Sequence, residues 1–284
     1  MIDQHKSVGA YIFRSSVYIV CIVLGVLSLF PFFIMFINAT RSTPQIQQQS
    51  FAFIPSTFIA NNMRIITNSR MFDALLGFRN SLTVAGGTTI CAIYFSSLTA
   101  FALTAYHWKL RQPFFTFIMA VMMIPGQIVT IGFYQMIWRM GLTNNFLPLI
   151  LPAIASPTIV FFMRQYLLAT FSMDIVNSAR IDGAGEFRIF NFIILPMMKP
   201  ALATQAIFVF VTSWNSLFMP MILLNKQEMY TMPIMVSLLR GDIYRTEYGA
   251  IYLGLSMSVI PLFILYFSLS KYIISGIQLG GVKE

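Results

Sequence analysis

The stretch of this chain with the most chemical character is a short run of small and polar residues, Asn177-Ser178-Ala179-Arg180-Ile181-Asp182-Gly183-Ala184. Gly183 permits a sharp turn that a side chain would obstruct, and Asp182 can accept hydrogen bonds from nearby backbone amides. The small residues Ser178, Ala179 and Ala184 form a face that a partner surface can approach closely. These residue types indicate a docking turn rather than a catalytic site.

A second candidate is the triplet Trp214-Asn215-Ser216, which combines an aromatic ring with neutral hydrogen-bonding groups. Sugars are bound by aromatic faces and neutral polar partners of this kind. Polar residues in apolar helices also serve as helix-packing contacts. The triplet is therefore either part of a substrate path or part of a helix interface.

Catalytic and metal-binding chemistry is not indicated. The sequence contains neither a G-x-x-x-x-G-K-[ST] phosphate loop nor a G-x-G-x-x-G motif. His5 and His107 form no metal-ligand pattern with Cys or Asp, and no Ser-His-Asp set falls in a plausible pocket. We therefore predict a protein that is not an enzyme, with no catalytic residues, no metal and no cofactor in this chain.

The composition of the chain indicates whether these residues are surrounded by water or by lipid. The 284 residues are 57% hydrophobic and 10% charged, whereas a soluble domain carries roughly 25% charged residues. A larger water-soluble core does not explain this excess, because a core grows only modestly with chain length. The composition predicts an integral membrane protein. The net charge of +9 suits a membrane surface, and no pattern of basic and aromatic residues indicates nucleic acid.

Six stretches are long and apolar enough to cross a bilayer, which takes roughly 17–25 residues of helix. We predict an all-α membrane protein with six transmembrane helices in a single domain, residues 1–284. The predicted spans are residues 17–37, 82–105, 114–137, 146–163, 201–224 and 248–270.

None of the six predicted spans contains Asp, Glu, Lys or Arg. Transporters driven by protons or sodium usually place ionisable residues inside the membrane. Uncharged spans therefore disfavour an ion-coupled secondary transporter, and energy for transport would enter from a partner at the inner face. A structural membrane protein would also have uncharged spans and stays open on this observation alone.

The long connection between the fourth and fifth spans carries the Asn177–Ala184 run. It is neither Ser- nor Gly-rich, and it predicts two short helices broken near Gly183 and ended by Pro196. Six spans put both termini on the same side as this connection. With the N-terminus inside, ten of the 18 Lys and Arg residues lie on the inner side, which favours this orientation.

The same run resembles the EAA motif of ABC-importer permeases, roughly E-A-A-x-x-D-G-A followed after about eight residues by I-x-L-P. The matching positions are Ala179, Asp182, Gly183, Ala184, Ile193, Leu195 and Pro196. Asn177 stands where the family usually has Glu, and Ser178 stands where it has Ala. Asn can still form a hydrogen bond but loses the stronger charge-assisted one.

The resemblance extends over nearly the whole chain. Asn80-Ser81-Leu82 is similar to the opening of the family's second span, and Trp214-Asn215-Ser216 is similar to its W-N-[DS] in span five. The C-terminal Gly276–Lys283 stretch is similar to the ending of the carbohydrate branch. In that branch the chain looks like the MalG-like subunit.

The resemblance implies a permease subunit that forms half of the pathway for a mono- or oligosaccharide. Its partners would be a MalF-like second permease, two ATP-binding cassette subunits that hold ATP and Mg, and an extracellular solute-binding protein. Residues 171–190 would be the cytoplasmic coupling helix, with Asn177, Ser178, Ala179, Asp182, Gly183 and Ala184 meeting the ATPase. Gly281 and Lys283 would be part of a tail lying against the cassettes.

The resemblance also implies a multi-pass protein of the bacterial cell membrane with both termini in the cytoplasm. A sugar-like anion such as glycerol phosphate remains an alternative substrate. Uncharged spans weigh mildly against that alternative, since a buried anion would require Arg or Lys.

Overall fold

The computed structural model describes residues 8–69, 72–240 and 246–281, and all regular structure in them is helical. The α-helices in chain order are α1 Val8–Ala39, α2 Thr43–Gln48, α3 Ile59–Asn68, α4 Ala74–Ala105, α5 Arg111–Met122, α6 Gly126–Arg139, α7 Leu147–Ile150, α8 Pro157–Thr170, α9 Met173–Ile181, α10 Glu186–Ile189, α11 Leu195–Met197, α12 Lys199–Trp214, α13 Phe218–Leu223, α14 Met232–Leu238 and α15 Tyr248–Gly281. Short 3₁₀-helices cover Leu151–Ile154 and Gln227–Met229, and a π-helix covers Phe190–Ile194.

The chain divides into two compact units. One comprises Met1–Arg70 with Leu239–Met257, and the other comprises Met71–Leu238 with Ser258–Glu284. The boundary between Met257 and Ser258 falls inside α15, and the single domain stays a prediction.

The first unit contains a buried cation held by neutral groups. Arg41 is 6% exposed, and its guanidinium donates to Asn38 Oδ1 at 3.1 Å, Gln49 O at 2.6 Å and Gln45 O at 2.8 Å. A buried charge must be hydrogen-bonded to be tolerated. These bonds fold the Gln45–Gln49 stretch against the end of α1.

Gly249, at the start of α15, lies close to the backbone of Arg41 in the same unit. A Cβ atom on Gly249 would collide with the backbone oxygen of Arg41 and would lie 2.5 Å from Asn62 Nδ2. That amide donates to Ala39 O and Arg41 O, each at 2.9 Å. The close approach of these backbones therefore requires a residue without a side chain.

The second unit is built around α4, which packs against α8 and α12. Small buried residues along α4, among them Ala92, Ser96 and Ala100, let the neighbouring helices approach closely. The core also includes Met163 on α8 and Ala201 on α12. Helix α4 is therefore the scaffold against which the candidate site is positioned.

Asn80 and Ser81 on α4 form hydrogen bonds with a segment that is distant in sequence. The side-chain amide of Asn80 donates to Glu228 O and Tyr230 O, each at 2.9 Å. Ser81 Oγ accepts a hydrogen bond of 2.8 Å from the backbone N–H of Met232. The Asn-Ser pair singled out in the sequence thus bonds to the backbone of residues 228–232.

Helices that could cross a membrane are fewer in the described residues than the six predicted spans. Four are long and apolar enough: Phe13–Ala39, Ala74–Ala105, Leu147–Thr170 and Tyr248–Ser268. A fifth candidate is bent by 79° between Glu186–Met197 and Lys199–Trp214. The helix that was predicted to be ended by Pro196 ends one residue later, at Met197, and the bend follows.

The predicted span 114–137 is two helices, α5 and α6, of 12 and 14 residues. They are separated at Met123–Pro125, where the proline lacks the N–H that a continuous helix needs. The predicted span 201–224 is similarly interrupted after Trp214. Several helices also run beyond the predicted ends of their spans, so that α4, for example, includes Arg79 and α8 includes Arg164.

Candidate functional site

Helix α9 begins and ends with residues that satisfy its terminal backbone groups. Ser172 is the N-cap, and its Oγ accepts a hydrogen bond of 3.3 Å from Asp174 N. Asp174 lies in the first turn and Arg180 in the last, where their charges complement the helix dipole. The sequence therefore stabilises a nine-residue helix at this point.

Gly183 ends α9 with a left-handed residue, at φ +79°. The N–H of Gly183 donates to Arg180 O at 3.0 Å, and the N–H of Ala184 donates to Ala179 O at 2.9 Å. This pair of bonds is the Schellman motif, which satisfies carbonyls that the helix end leaves free. The predicted break near Gly183 is confirmed.

The two sides of α9 have different surroundings. Val176 and Ala179 are buried in the core of the second unit, with Ala179 7% exposed, and Ala184 packs against that core. Ala179 is therefore turned toward the core and Ala184 is partly exposed, and the contact of these two residues with a partner stays a prediction. The i, i+3 spacing of Val176 and Ala179 was the signal for this buried side.

Exposed residues mark the other side of α9 and its turn. Asn177, Ser178, Asp182 and Gly183 are exposed, and Ile181, which sequence reasoning missed, is 86% exposed. In the described part of the chain the Asp182 carboxylate makes no hydrogen bond, so it does not bond to backbone amides as expected. Its acceptor atoms are available to another molecule.

Three side chains tie this turn to the end of α4. Arg180 Nε and Glu186 Oε1 form an ion pair at 2.7 Å. The Tyr106 hydroxyl donates a hydrogen bond to Glu186 Oε2. The Arg180 guanidinium lies 5.7 Å from the centre of the Tyr106 ring. Burial, followed by the bond to Glu186, raises the pKa of Tyr106 to about 12. Tyr106 is therefore a protonated donor at physiological pH.

Asn191 makes a second link between the same segments, in the π-helix. It accepts a hydrogen bond of 3.2 Å from the Tyr94 hydroxyl, and its amide donates to Phe187 O at 2.8 Å. Neither this link nor the Arg180–Glu186–Tyr106 cluster was predicted, because Tyr94 is 97 residues from Asn191 and Tyr106 is 80 residues from Glu186.

A cavity of about 680 Å³ lies in the second unit among α4, α6, α8 and α12. Its lining is mainly apolar and, among the described residues, includes no Asp, Glu, Lys, Arg or His. Seven hydroxyl side chains line it: Thr88, Thr130, Ser156, Thr158, Thr212, Ser213 and Ser216. The hydroxyls of Thr212, Ser213 and Ser216 make no hydrogen bond within the described chain and can bind a polar ligand.

The Trp214-Asn215-Ser216 triplet is not brought together at this cavity. Ser216 lines it, and Asn215 is exposed outside its lining. Trp214 is 2% exposed and stacks on Phe210 and Phe78, with ring centres at 5.5 and 6.2 Å. Its indole N–H donates to Ser258 O at 3.0 Å. Because the ring is buried by these contacts, Trp214 is in a helix-packing position, which was the second of the two interpretations of the triplet.

Gly281 is the last residue of α15, and Lys283 lies outside the described residues. The expected contact of this tail with a partner stays a prediction.

The comparisons with known proteins give the chain a family. Residues 92–278 match the family described as binding-protein-dependent transport system inner membrane component. The chain is 32% identical to the arabinooligosaccharides transport system permease protein AraQ of Halalkalibacterium halodurans, over 92% of this chain and 93% of that protein. It is 31% identical to the lactose transport system permease protein LacG of Rhizobium radiobacter, over 90% and 92% of the two chains.

A solved structure shares the fold. It belongs to a bacterial ABC transporter involved in the import of the acidic polysaccharide alginate, with a TM-score of 0.77 and 21% identity over 95% of this chain and all of that one. The resemblance to ABC-importer permeases stated for the EAA-like run is confirmed by the family match and by the relatives. The chain belongs to the family of binding-protein-dependent transport system inner membrane components: it is a multi-pass permease subunit of an ABC importer, and not an enzyme.

Proposed function

We propose that this chain forms half of the translocation pathway for an uncharged mono- or oligosaccharide. The observation that carries the proposal is the lining of the 680 Å³ cavity, which offers hydroxyl groups and no charged side chain. Neutral sugars bind through many hydroxyl contacts on an apolar wall. Thr212, Ser213 and Ser216 present such contacts from α12 and the residues that follow it.

The relatives support a carbohydrate as the substrate class. The names of two of them specify arabinooligosaccharides and lactose, which are neutral sugars. Trp214 acts in this proposal as a positioning residue, because its stacking on Phe210 and its bond to Ser258 hold the end of α12 in place.

A sugar-like anion is the second candidate. The chain is 26% identical to the sn-glycerol-3-phosphate transport system permease protein UgpE of Pectobacterium atrosepticum, over 91% of its length. A phosphate in an apolar cavity requires a cation to offset the cost of leaving water. The described lining provides none, which favours the neutral sugar.

The segment from 171 to 190 is proposed as the coupling helix, which docks on an ATP-binding subunit at the cytoplasmic face. The exposed Ile181 and the free carboxylate of Asp182 are the contacts we assign to that docking. Asn177 and Ser178 lie on the same exposed side. Ala179 and Ala184 pack toward the core, and Gly183 provides the left-handed residue of the turn.

The complete importer in this proposal has five subunits. A second, MalF-like permease supplies the other half of the pathway, two ATP-binding cassette subunits hold ATP and Mg, and an extracellular solute-binding protein delivers the sugar. The six-span count also belongs to the proposal, with α5 and α6 together making one interrupted span. Both termini lie in the cytoplasm of the bacterial cell.

The cavity is tested by filling it. Ser216→Phe places a bulky ring in the lining, and Asn215→Phe places the same ring at the adjacent exposed position outside it. ATP-dependent uptake of a neutral oligosaccharide by the reconstituted importer should fall at least tenfold in Ser216→Phe and stay within twofold of normal in Asn215→Phe. Equal uptake by the two variants would show that this cavity is not the pathway.

A further inference from the structure

We propose that Arg111 and Arg164 form a binding site for the phosphate headgroup of an anionic phospholipid. Both side chains are half-buried, and the Arg164 guanidinium contacts Phe115, which lies one helical turn after Arg111 on α5. Arg111 is the first residue of α5, and Arg164 lies on α8, which packs against α5. The proposal depends on placing these helices in a membrane, and not on the transported solute.

Neither guanidinium has a counter-ion in the described part of the chain. The ion pair found there joins Arg180 and Glu186, and the buried Nε of Arg164 has no hydrogen-bond acceptor. The Arg164 guanidinium lies 4.1 Å from the centre of the Phe115 ring, a contact that offsets part of the cost of burial. An anion bound between the two arginines would supply the acceptor that Arg164 Nε lacks and would form charge-assisted hydrogen bonds with both guanidinium groups.

The surroundings favour a lipid as the source of that anion. Exposed apolar side chains flank the two arginines, including Trp108 at 42% and Phe117 at 63% exposure. Trp108 packs with Phe114, their ring centres 5.9 Å apart. Tryptophan is enriched at the membrane–water interface, and basic pockets between membrane helices bind anionic headgroups. An acidic protein surface would not require this apolar surround.

Trp108 is also the reporter for the test, because its carbonyl accepts a hydrogen bond of 3.2 Å from Arg111 N. Brominated lipids quench tryptophan fluorescence at short range. The full chain, with the subunits that copurify, is placed in nanodiscs of phosphatidylcholine and phosphatidylglycerol with one or the other lipid brominated. Subtracting the same measurement on Trp108→Phe isolates the signal from this site and gives its preference for phosphatidylglycerol.

We expect the site to prefer phosphatidylglycerol over phosphatidylcholine tenfold or more. Arg111→Gln and Arg164→Gln should each reduce this preference about fivefold, since each cation near anionic lipid contributes a factor of that order. Arg164→Lys keeps the charge and should keep most of the preference. Arg188→Gln removes an equal charge from an exposed position on α10 and should change nothing.

Three results would overturn the proposal. One is the absence of a preference in the unmodified chain, which would assign the arginines to an acidic protein partner. Another is an equal loss in Arg188→Gln, which would mean that only net charge matters. The third is abolition of the preference by excess inorganic phosphate, which would assign the site to a soluble anion.

Discussion

Gly183 determines how the chain leaves α9. Its φ of +79° is accessible to glycine at little cost, and the Schellman bonds around it fix the direction of the exposed turn. Placing a residue with a side chain in this left-handed conformation typically costs about 1–2 kcal/mol, and a β-branched residue costs more. The backbone would therefore relax away from the left-handed region.

The first prediction concerns this residue. Gly183→Val should reduce solute-stimulated ATP hydrolysis by the reconstituted importer at least tenfold, because the displaced turn moves Ile181 and Asp182 from their docking positions. Membrane insertion should be normal. The measurement is ATPase activity with and without the sugar-loaded binding protein, alongside the amount of protein in the membrane.

Gly185→Val is the matched control. Gly185 has an ordinary φ of −71°, and a Cβ atom there meets nothing within 4 Å. Its stimulated activity should remain within about twofold of normal. Full stimulation in Gly183→Val would remove this turn as the coupling element.

At the scale of residues, features that depend on neighbouring residues were predictable from the sequence, and contacts between residues far apart in sequence were not. The break at Gly183 follows from a glycine that comes directly after a short helical run. The covering of Trp214 depends on Phe78 and Ser258, which no local pattern connects to it. The inward direction of Ala179 followed from its spacing to Val176, but the small size of the residue suggested a partner contact instead.

The element that connects the membrane core to the coupling segment is α4. Tyr106 follows its last residue and reaches Glu186 on α10, which in turn pairs with Arg180 on α9. Ion pairs that are partly exposed contribute little stability by themselves. These contacts matter here because they fix the positions of α4, α9 and α10 relative to one another.

We expect Tyr106→Phe to loosen this connection while preserving the packing of the ring. The Arg180–Glu186 pair should remain, and stimulated ATP hydrolysis should fall about two- to fivefold with little change in thermal stability. The control is Tyr18→Phe, which removes an exposed hydroxyl from α1. A loss of thermal stability that accounts for all of the lost activity would make Tyr106 structural only.

Among the elements, the apolar helices were predictable and their interruptions were less so. Four long helices cover predicted spans because apolar length is a local property. The separation of α5 from α6 had a signal in Pro125, but prolines also occur inside membrane helices, as Pro31 does in α1. The 79° bend after Met197 did have a signal, because Pro196 and Pro200 flank it, but the sequence did not give its angle.

The orientation of the whole molecule follows from the coupling proposal. If the segment from 171 to 190 meets ATP-binding subunits, it is cytoplasmic, and the Thr43–Gln48 region is extracellular. Single cysteines at Gln48 and Arg188, in a chain with Cys21 and Cys91 replaced by Ser, should react differently with an impermeant reagent on intact cells. We expect labelling at position 48 only, and labelling at 188 alone would reverse the orientation.

The central claim is that this chain conducts an uncharged sugar and takes its energy from ATP hydrolysed by partners. The most direct test is uptake by proteoliposomes of a radiolabelled neutral oligosaccharide and of the same sugar carrying a carboxylate. The complete importer should take up the neutral sugar only with ATP, at least tenfold faster than the anion, and the chain alone should take up neither. Uptake by the chain alone under a proton or sodium gradient, or faster uptake of the anion by the importer, would contradict the account.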